Sequence, residues 1–318
     1  MSPSPTPLVL ASDSSIADAP ALAGAKAATL ARLRLAGLPV PRLSVVTTAG
    51  FLAHLHSNAI SVTVGADSGA RPDAIRRALL SAPMPESVHA ATVAAYQVLS
   101  LPAAGPAPVA VRSSGVAEDG LNASFAGQFD SFLGVRGDER VVQSVKDCWA
   151  SYLSDRSMNY RAARRVTENA PLIAVILQRQ IFAVKAGVLF TRHPVAADPS
   201  LAYIEANFGT GESVVGGLVT PDSITMSRDT MMIVDRMVAD KSTMTVVAPD
   251  AAGSSTIATP ADLVNKPVLT ASEAWDLLDA ALRIERELGA PQDIEWAIDG
   301  TQMWIIQARP ITAAGSLS

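Results

Sequence analysis

The sequence predicts an α+β fold, and three observations carry that prediction. Helical and strand-like runs are interleaved along the 318 residues. The last two strands form a hairpin around Asp299-Gly300, a dipeptide that favours tight antiparallel turns. Neither G-x-G-x-x-G nor G-x-x-x-x-G-K-[ST], the fingerprints of two common nucleotide-binding α/β folds, occurs in the chain. No internal repeat is present.

The N-terminal MSPSPTPLVL has no basic segment ahead of its short apolar run, so it reads as a frayed start rather than a secretory signal. GAKAATLARLRLA, from Gly24 to Ala36, reads as a helix with leucines at 30, 33 and 35, and GLPVP ends it. LSVVTT (Leu43–Thr48) follows as a strand and Ala49–His56 as a helix. Residues 61–72 and 101–108, rich in Gly, Ala, Ser and Pro, read as loops around helices over Asp73–Leu80 and Glu86–Leu99. His54 and His56 read as part of a solvated helix face. From Val109 the pattern turns to strands: VAVRSS ends at a polar tip and SFLGV comes next. Glu139–Arg165 is a long amphipathic helical region holding Trp149, Tyr152 and Tyr160. LIAVILQRQ, AGVLFTRHP and LAYIEANFG are buried strands, followed by the glycine-rich turn GTGESVVGG and a weaker β stretch over Ser223–Val247. A helix over Ala271–Leu288, closed by Gly289, leads into the terminal hairpin DIEWAIDGTQMWIIQARP.

Composition narrows the function classes. With 49% hydrophobic and 17% charged residues the chain is globular, and it is long enough for a large core or for two lobes. A net charge of −5 argues against nucleic acid as a partner, so anion binding has to come from a local pocket. Apolar runs such as PLIAVIL are too short to span a bilayer, and a cytoplasmic, membrane-free protein is expected. Cys148 is the single cysteine, which excludes an intramolecular disulfide; it reads as a small buried hydrophobe. His54, His56, His89 and His193 form no HExxH-like arrangement.

Charged residues that end apolar strands are the candidates for chemistry: Arg112, Arg192, Glu205, Glu295 and Arg309. In the hairpin, Asp293 and Glu295 are two apart and share a strand face, as do Gln307 and Arg309. Two carboxylates and an amide suit Mg²⁺, and guanidinium groups suit phosphate. The same spacing fits a cross-strand salt-bridge ladder equally well. Arg112 with Ser113 and Ser114 is suited to phosphate, and Ser124-Phe125-Ala126-Gly127-Gln128 to a loop whose N–H groups close over it. An ordinary β-hairpin with a polar turn accounts for these residues as well.

These segments together resemble the N-terminal nucleotide-binding domain of the phosphoenolpyruvate synthase, pyruvate phosphate dikinase and rifampicin phosphotransferase group. The resemblance runs from about Gly24 to Pro310 through GAKAATLARLRLAGLPVP, VAVRSSGVAEDGLNASFAGQFDSFLGV, CWAS, YRAARR, VILQRQ, GVLFTRHP, IEANFGTGESVVGGLVTPDS and DIEWAIDGTQMWIIQARPIT. It implies a two-lobed ATP-grasp fold with the nucleotide cleft between lobes: residues 1–168 as the N-terminal lobe, 169–318 as the C-terminal lobe. It also implies ATP and Mg²⁺ as cofactors. By resemblance, Lys26 and Arg112 contact phosphates, and Ser124, Gly127 and Gln128 belong to the loop that covers them. Gln178 lies in the hinge that meets adenine. Arg192, Glu205 and Glu212 lie in blocks facing the nucleotide, with Glu205 on the ribose. Glu295 holds Mg²⁺ with Asp293 and Gln307, while Arg309 neutralises charge on the transferred phosphoryl group.

The family passes the β-phosphoryl group to a histidine on a swivelling domain and releases AMP. No Thr-Ser-His signature follows here, so the resemblance implies a separate phosphohistidine-domain protein as partner. Two alternatives are a stand-alone kinase or carboxylate ligase that releases ADP with a small-molecule acceptor, and an ATP-binding domain cut from a longer synthase. Two departures stand out. The family's GGKG reads Gly24-Ala25-Lys26-Ala27, which is expected to restrict the backbone beside a phosphate contact. His193 occupies a position that is often acidic or small in the family, and it reads as a residue of a solvated turn.

Overall fold

The computed structural model describes residues 6–62, 72–100, 106–116, 131–152, 173–196, 198–248 and 253–311. Helices and antiparallel sheets alternate, so the architecture is α+β. The chain divides into two compact units: residues 1–32 with 42–180, and residues 33–41 with 181–318.

The first unit is built on a five-stranded sheet. Its strands are β1 (Val9–Leu10), β2 (Leu43–Val46), β3 (Val109–Gly115), β4 (Ser131–Val135) and β5 (Ile173–Arg179), in the order β1-β2-β5-β3-β4 and all antiparallel. The N-terminus is therefore not frayed from residue 9 onward: Val9 pairs with Val46, and Leu10 with Val45. Apolar side chains at Leu8 and Val9 pack on the core, which outweighs the lack of a longer pattern. The helices are α1 (Asp13–Ala17), α2 (Pro20–Ala23), α3 (Ala25–Leu35), α4 (Thr48–Ser57), α5 (Pro72–Ser81), α6 (Glu86–Gln97) and α7 (Asp138–Ser151). The two short helices α1 and α2 are too brief to show a helical period. The helical region expected over residues 139–165 is described only as α7; its remainder lies outside the described residues.

Helices α4 to α7 pack on one face of this sheet, where Val109, Val111, Val175 and Leu177 meet Phe51, Tyr96 and Trp149. His54 belongs to that core and not to a solvated face. It is fully buried, its ring stacks on Trp149 with centroids 5.3 Å apart, and Nε2 lies 3.2 Å from the Leu79 carbonyl oxygen. His56 is exposed. Cys148 is buried, as the sequence indicates.

The second unit carries a six-stranded antiparallel sheet in the order β13-β12-β6-β7-β8-β9. These are β6 (Lys185–Phe190), β7 (Leu201–Phe208), β8 (Asp222–Ser227), β9 (Ile233–Met237), β12 (Gln292–Ile298) and β13 (Met303–Pro310). Segment 33–41 is tied to it by the Ile305 N–H, which donates to the Pro39 carbonyl at 2.8 Å. A short helix α8 (Glu212–Val215) and a two-stranded ladder of β10 (Thr243–Val246) and β11 (Ser255–Ala258) complete the unit, together with α9 (Ala271–Leu288). Helix α9 packs on β6 and β12 and covers one sheet face. Gly187 lies on that face under Trp296: a Cβ there would stand 1.9 Å from the Glu205 carbonyl oxygen and 2.9 Å from the indole. A buried ion pair, Lys241 Nζ to Asp222 Oδ1 at 2.6 Å, has its remaining acceptor filled by the Val268 N–H at 2.8 Å. Among the described residues no helix is long and apolar enough to cross a membrane.

Candidate functional site

In the first unit, sheet parity gathers the polar candidates. Arg112 stands opposite Ile176, and Gln178 opposite Ala110 and Leu43, so Arg112, Ser114 and Gln178 share the face turned away from the α4–α7 core. Arg112 Nη1 donates to Gln178 Oε1 at 3.3 Å, and all three side chains are buried. The first turn of α3 packs against this face. Ala27 N–H donates to Ser114 Oγ at 3.1 Å, and Lys26 Nζ donates to the Ser113 carbonyl, also at 3.1 Å. An ammonium, a guanidinium and an amide thereby converge on one surface. The Gln178 side-chain nitrogen is buried with no protein acceptor, a donor that a ligand can satisfy. Ser124, Gly127 and Gln128 lie outside the described residues.

The Gly24-Ala25-Lys26-Ala27 segment does not carry the expected backbone penalty. Positions 25 and 27 are helical, a conformation alanine adopts freely, and the left-handed φ of +78° falls on the retained Gly24. A Cβ at Gly24 would stand 2.2 Å from the Ser114 carbonyl oxygen.

In the second unit, the sheet face opposite α9 presents two parallel rows. Gln307 faces Glu295, which faces Val188, which faces Glu205, which faces Ser223. Two residues along, Arg309 faces Asp293, then Phe190, Tyr203 and Thr225. Asp293 takes Arg309 Nε at 2.8 Å and Nη2 at 2.5 Å on one oxygen, and its other oxygen is buried without a partner. Burial pushes the Asp293 carboxyl up, the Arg309 guanidinium pulls it back, and the neighbouring Glu295 charge adds to the rise. Arg309 and Asp293 therefore form a half-buried pair whose geometry differs from an exposed ladder.

Arg112, Glu205 and Glu295 sit mid-strand, not at strand ends as their apolar flanks suggest. Strands on both sides pair the polar stretch and extend the strand beyond the apolar run. Arg192 is exposed just past β6, and Glu212 is exposed in the first turn of α8; neither joins the two rows. Glu205 is half-buried and accepts a hydrogen bond from the Tyr203 hydroxyl at 3.4 Å.

His193 is not a simple solvated residue. Its Nδ1 accepts from the Val195 and Ala196 N–H groups at 3.2 and 3.0 Å, and its ring packs on Tyr203 with centroids 4.7 Å apart. Tyr203 escaped notice in the sequence, although its place two residues before Glu205 on one strand puts both on a single face.

Among the described residues no group of three or more His, Cys, Asp or Glu side chains is placed to hold a metal. A cation bound at the hairpin would take only one or two protein oxygens, which is how Mg²⁺ is commonly held beside phosphates. Glu295 and Gln307, directly opposite each other, supply two hard oxygen donors and fit that role.

Residues 20–317 match the family model described as "Pyruvate phosphate dikinase, AMP/ATP-binding domain". Over 303 residues the chain is 35% identical to a probable phosphoenolpyruvate synthase of Methanocaldococcus jannaschii, covering 92% of this chain and 25% of that protein. It is 35% identical over 303 residues to a rifampicin phosphotransferase of a Streptomyces species, covering 91% and 34% respectively. It is 36% identical over 290 residues to the prodigiosin synthesizing transferase PigC of Serratia marcescens, covering 91% and 31%. The chain thus spans between a quarter and about a third of the length of these three relatives.

Proposed function

Because the chain belongs to the pyruvate phosphate dikinase AMP/ATP-binding domain family, we propose that it binds Mg-ATP and drives phosphoryl transfer to a histidine on a separate swivelling domain. The observation that carries this reading is the pairing across the terminal hairpin, where Glu295 faces Gln307 and Asp293 holds Arg309. Phosphoryl transfer asks a protein for positioning and charge stabilisation more than for covalent chemistry, and this residue set offers both.

In this reading Lys26 and Arg112 hold phosphate oxygens. Arg112 is locked against Gln178, so its charge is pre-oriented and costs little to order when the nucleotide arrives. The spare Gln178 amide hydrogens meet an acceptor on the nucleotide base. Glu205 accepts from the ribose. Glu295 and Gln307 would hold Mg²⁺, which neutralises phosphate charge when bound. Asp293 acts chiefly by fixing the Arg309 guanidinium, which faces the charge that develops on the moving phosphoryl group. Ser124, Gly127 and Gln128 complete the phosphate site as a covering loop, and Arg192 and Glu212 border it.

The α–β bridge of ATP breaks and AMP leaves with the bridging oxygen. The β-phosphorus bonds to a histidine ring nitrogen, whose proton goes to solvent, and the β–γ bridge breaks as water takes the γ-phosphoryl group and leaves as inorganic phosphate. Incubating the chain with ATP, with and without a histidine-bearing swivelling domain of a phosphoenolpyruvate synthase, tests this. AMP and phosphate are expected only with the domain present. ADP formed with a small acid or amine and no domain contradicts the proposal and favours the ligase or kinase chemistry.

A further inference from the structure

We propose that Tyr203 is the positioning residue of Glu205 and that, through Glu205, it sets discrimination for a ribose 2′-hydroxyl. The inference rests on the reading that Glu205 meets the ribose. Tyr203 and Glu205 are two apart on β7 and share the sheet face opposite α9. The Tyr203 hydroxyl donates to Glu205 Oε1 at 3.4 Å. Ser223 stands directly across from Glu205 on β8.

The ring itself is held as well. His193 packs on it, and the His193 ring cannot swing because its Nδ1 accepts two backbone N–H groups. The phenol is thus held by its ring face, and its hydrogen points at Glu205. Burial pushes the Tyr203 hydroxyl up, Ser223 acts against it, and the Glu205 charge adds to the rise, so the phenol stays protonated as a donor at neutral pH.

An ionised carboxylate only accepts hydrogen bonds, so the ligand group it meets has to be a donor. With Oε1 engaged by Tyr203, Oε2 is set in one direction, and a sugar hydroxyl is the donor a nucleotide offers there. A loose Glu205 would still attract that hydroxyl, but it would lose the orientation that separates a ribose from a deoxyribose.

The test is equilibrium binding of ATP and of 2′-deoxy-ATP, with Mg²⁺, to the wild type, Tyr203→Phe, Glu205→Gln and the double variant. The wild type is expected to prefer ATP. Tyr203→Phe and Glu205→Gln should each cut that preference by roughly tenfold, the scale of one charge-assisted hydrogen bond. The double variant should lose no more than the larger single loss, because both act through one contact. Phenylalanine keeps the ring on His193, so the melting temperature checks folding; a purely structural role would weaken both nucleotides alike and leave their ratio unchanged. A wild type that binds both nucleotides equally overturns the inference. So does a Tyr203→Phe or a Glu205→Gln variant with the wild-type ratio, or a double variant in which the two losses multiply. A wild type that binds neither nucleotide sinks the nucleotide-site reading itself, before any variant is compared.

Discussion

Glu295 faces Gln307 across the terminal hairpin and is half-buried. Glu295→Ala should lower turnover of ATP at least a hundredfold while leaving the melting temperature within a few degrees of wild type. Nucleotide consumption followed by chromatography, beside a melting curve, checks both. Full activity in that variant would remove its metal role. His54 offers an independent test of the core. Burial lowers its pKa below 6.5, the Leu79 carbonyl contact opposes that, and the Lys146 charge adds to it. The folded state thus binds fewer protons than the unfolded one below that value, so His54 costs no stability above pH 6.5 and an increasing amount as pH falls below it. Denaturant unfolding of wild type and His54→Gln at pH 7.5 and 5.5 should show the smaller acid loss in the variant. The Asp293/Glu295 and Gln307/Arg309 sets were legible in the sequence because period-two spacing fixes the face; their exact pairing was not, because a bulge between Glu295 and Trp296 shifts the register that the turn begins. The burial of His54 was not, because its partner Trp149 comes from a distant helix and helical spacing does not say what packs on a face.

At the scale of elements, local signals were enough where an element carries its own ends. Helix α9 runs over the predicted Ala271–Leu288 because Thr270 accepts from the Glu273 N–H, Glu273 reaches back to Thr270, and Gly289 adopts the left-handed cap. Thr270→Ala should cost about 1 kcal/mol, read as a shift in the denaturation midpoint with unchanged slope. The Lys185–Glu273 ion pair, at 2.6 Å, stays in place and keeps the helix docked on β6. An unchanged midpoint would mean that docking alone holds the helix end. Elsewhere local signals fell short. The Ser223–Val247 stretch resolves into β8, β9 and β10, and β10 finds its partner in β11, Thr243 opposite Ala258. Residues 255–258 are exposed and show no alternation, so nothing local marks them as a strand. The mid-strand placement of Arg112 and Glu205 has the same origin, since pairing with both neighbours decides where a strand ends.

At the scale of the whole molecule, each unit brings its own polar surface. The first offers Lys26, Arg112, Ser114 and Gln178; the second offers the Gln307–Glu295–Glu205 row beside the Arg309–Asp293 pair. The family to which the chain belongs is that of an AMP/ATP-binding domain, and the proposed function gives both sets a nucleotide to meet. The most direct test is calorimetric titration of the chain with ATP, with and without Mg²⁺, for the wild type and for the Lys26→Ala, Arg112→Ala and Glu295→Ala variants. Saturable one-to-one binding is expected in the wild type. It should weaken at least tenfold without Mg²⁺ or in Lys26→Ala and Arg112→Ala, and Glu295→Ala should lose the Mg²⁺ dependence. Absence of binding in the wild type, or binding indifferent to Mg²⁺ and to all three substitutions, would contradict the account.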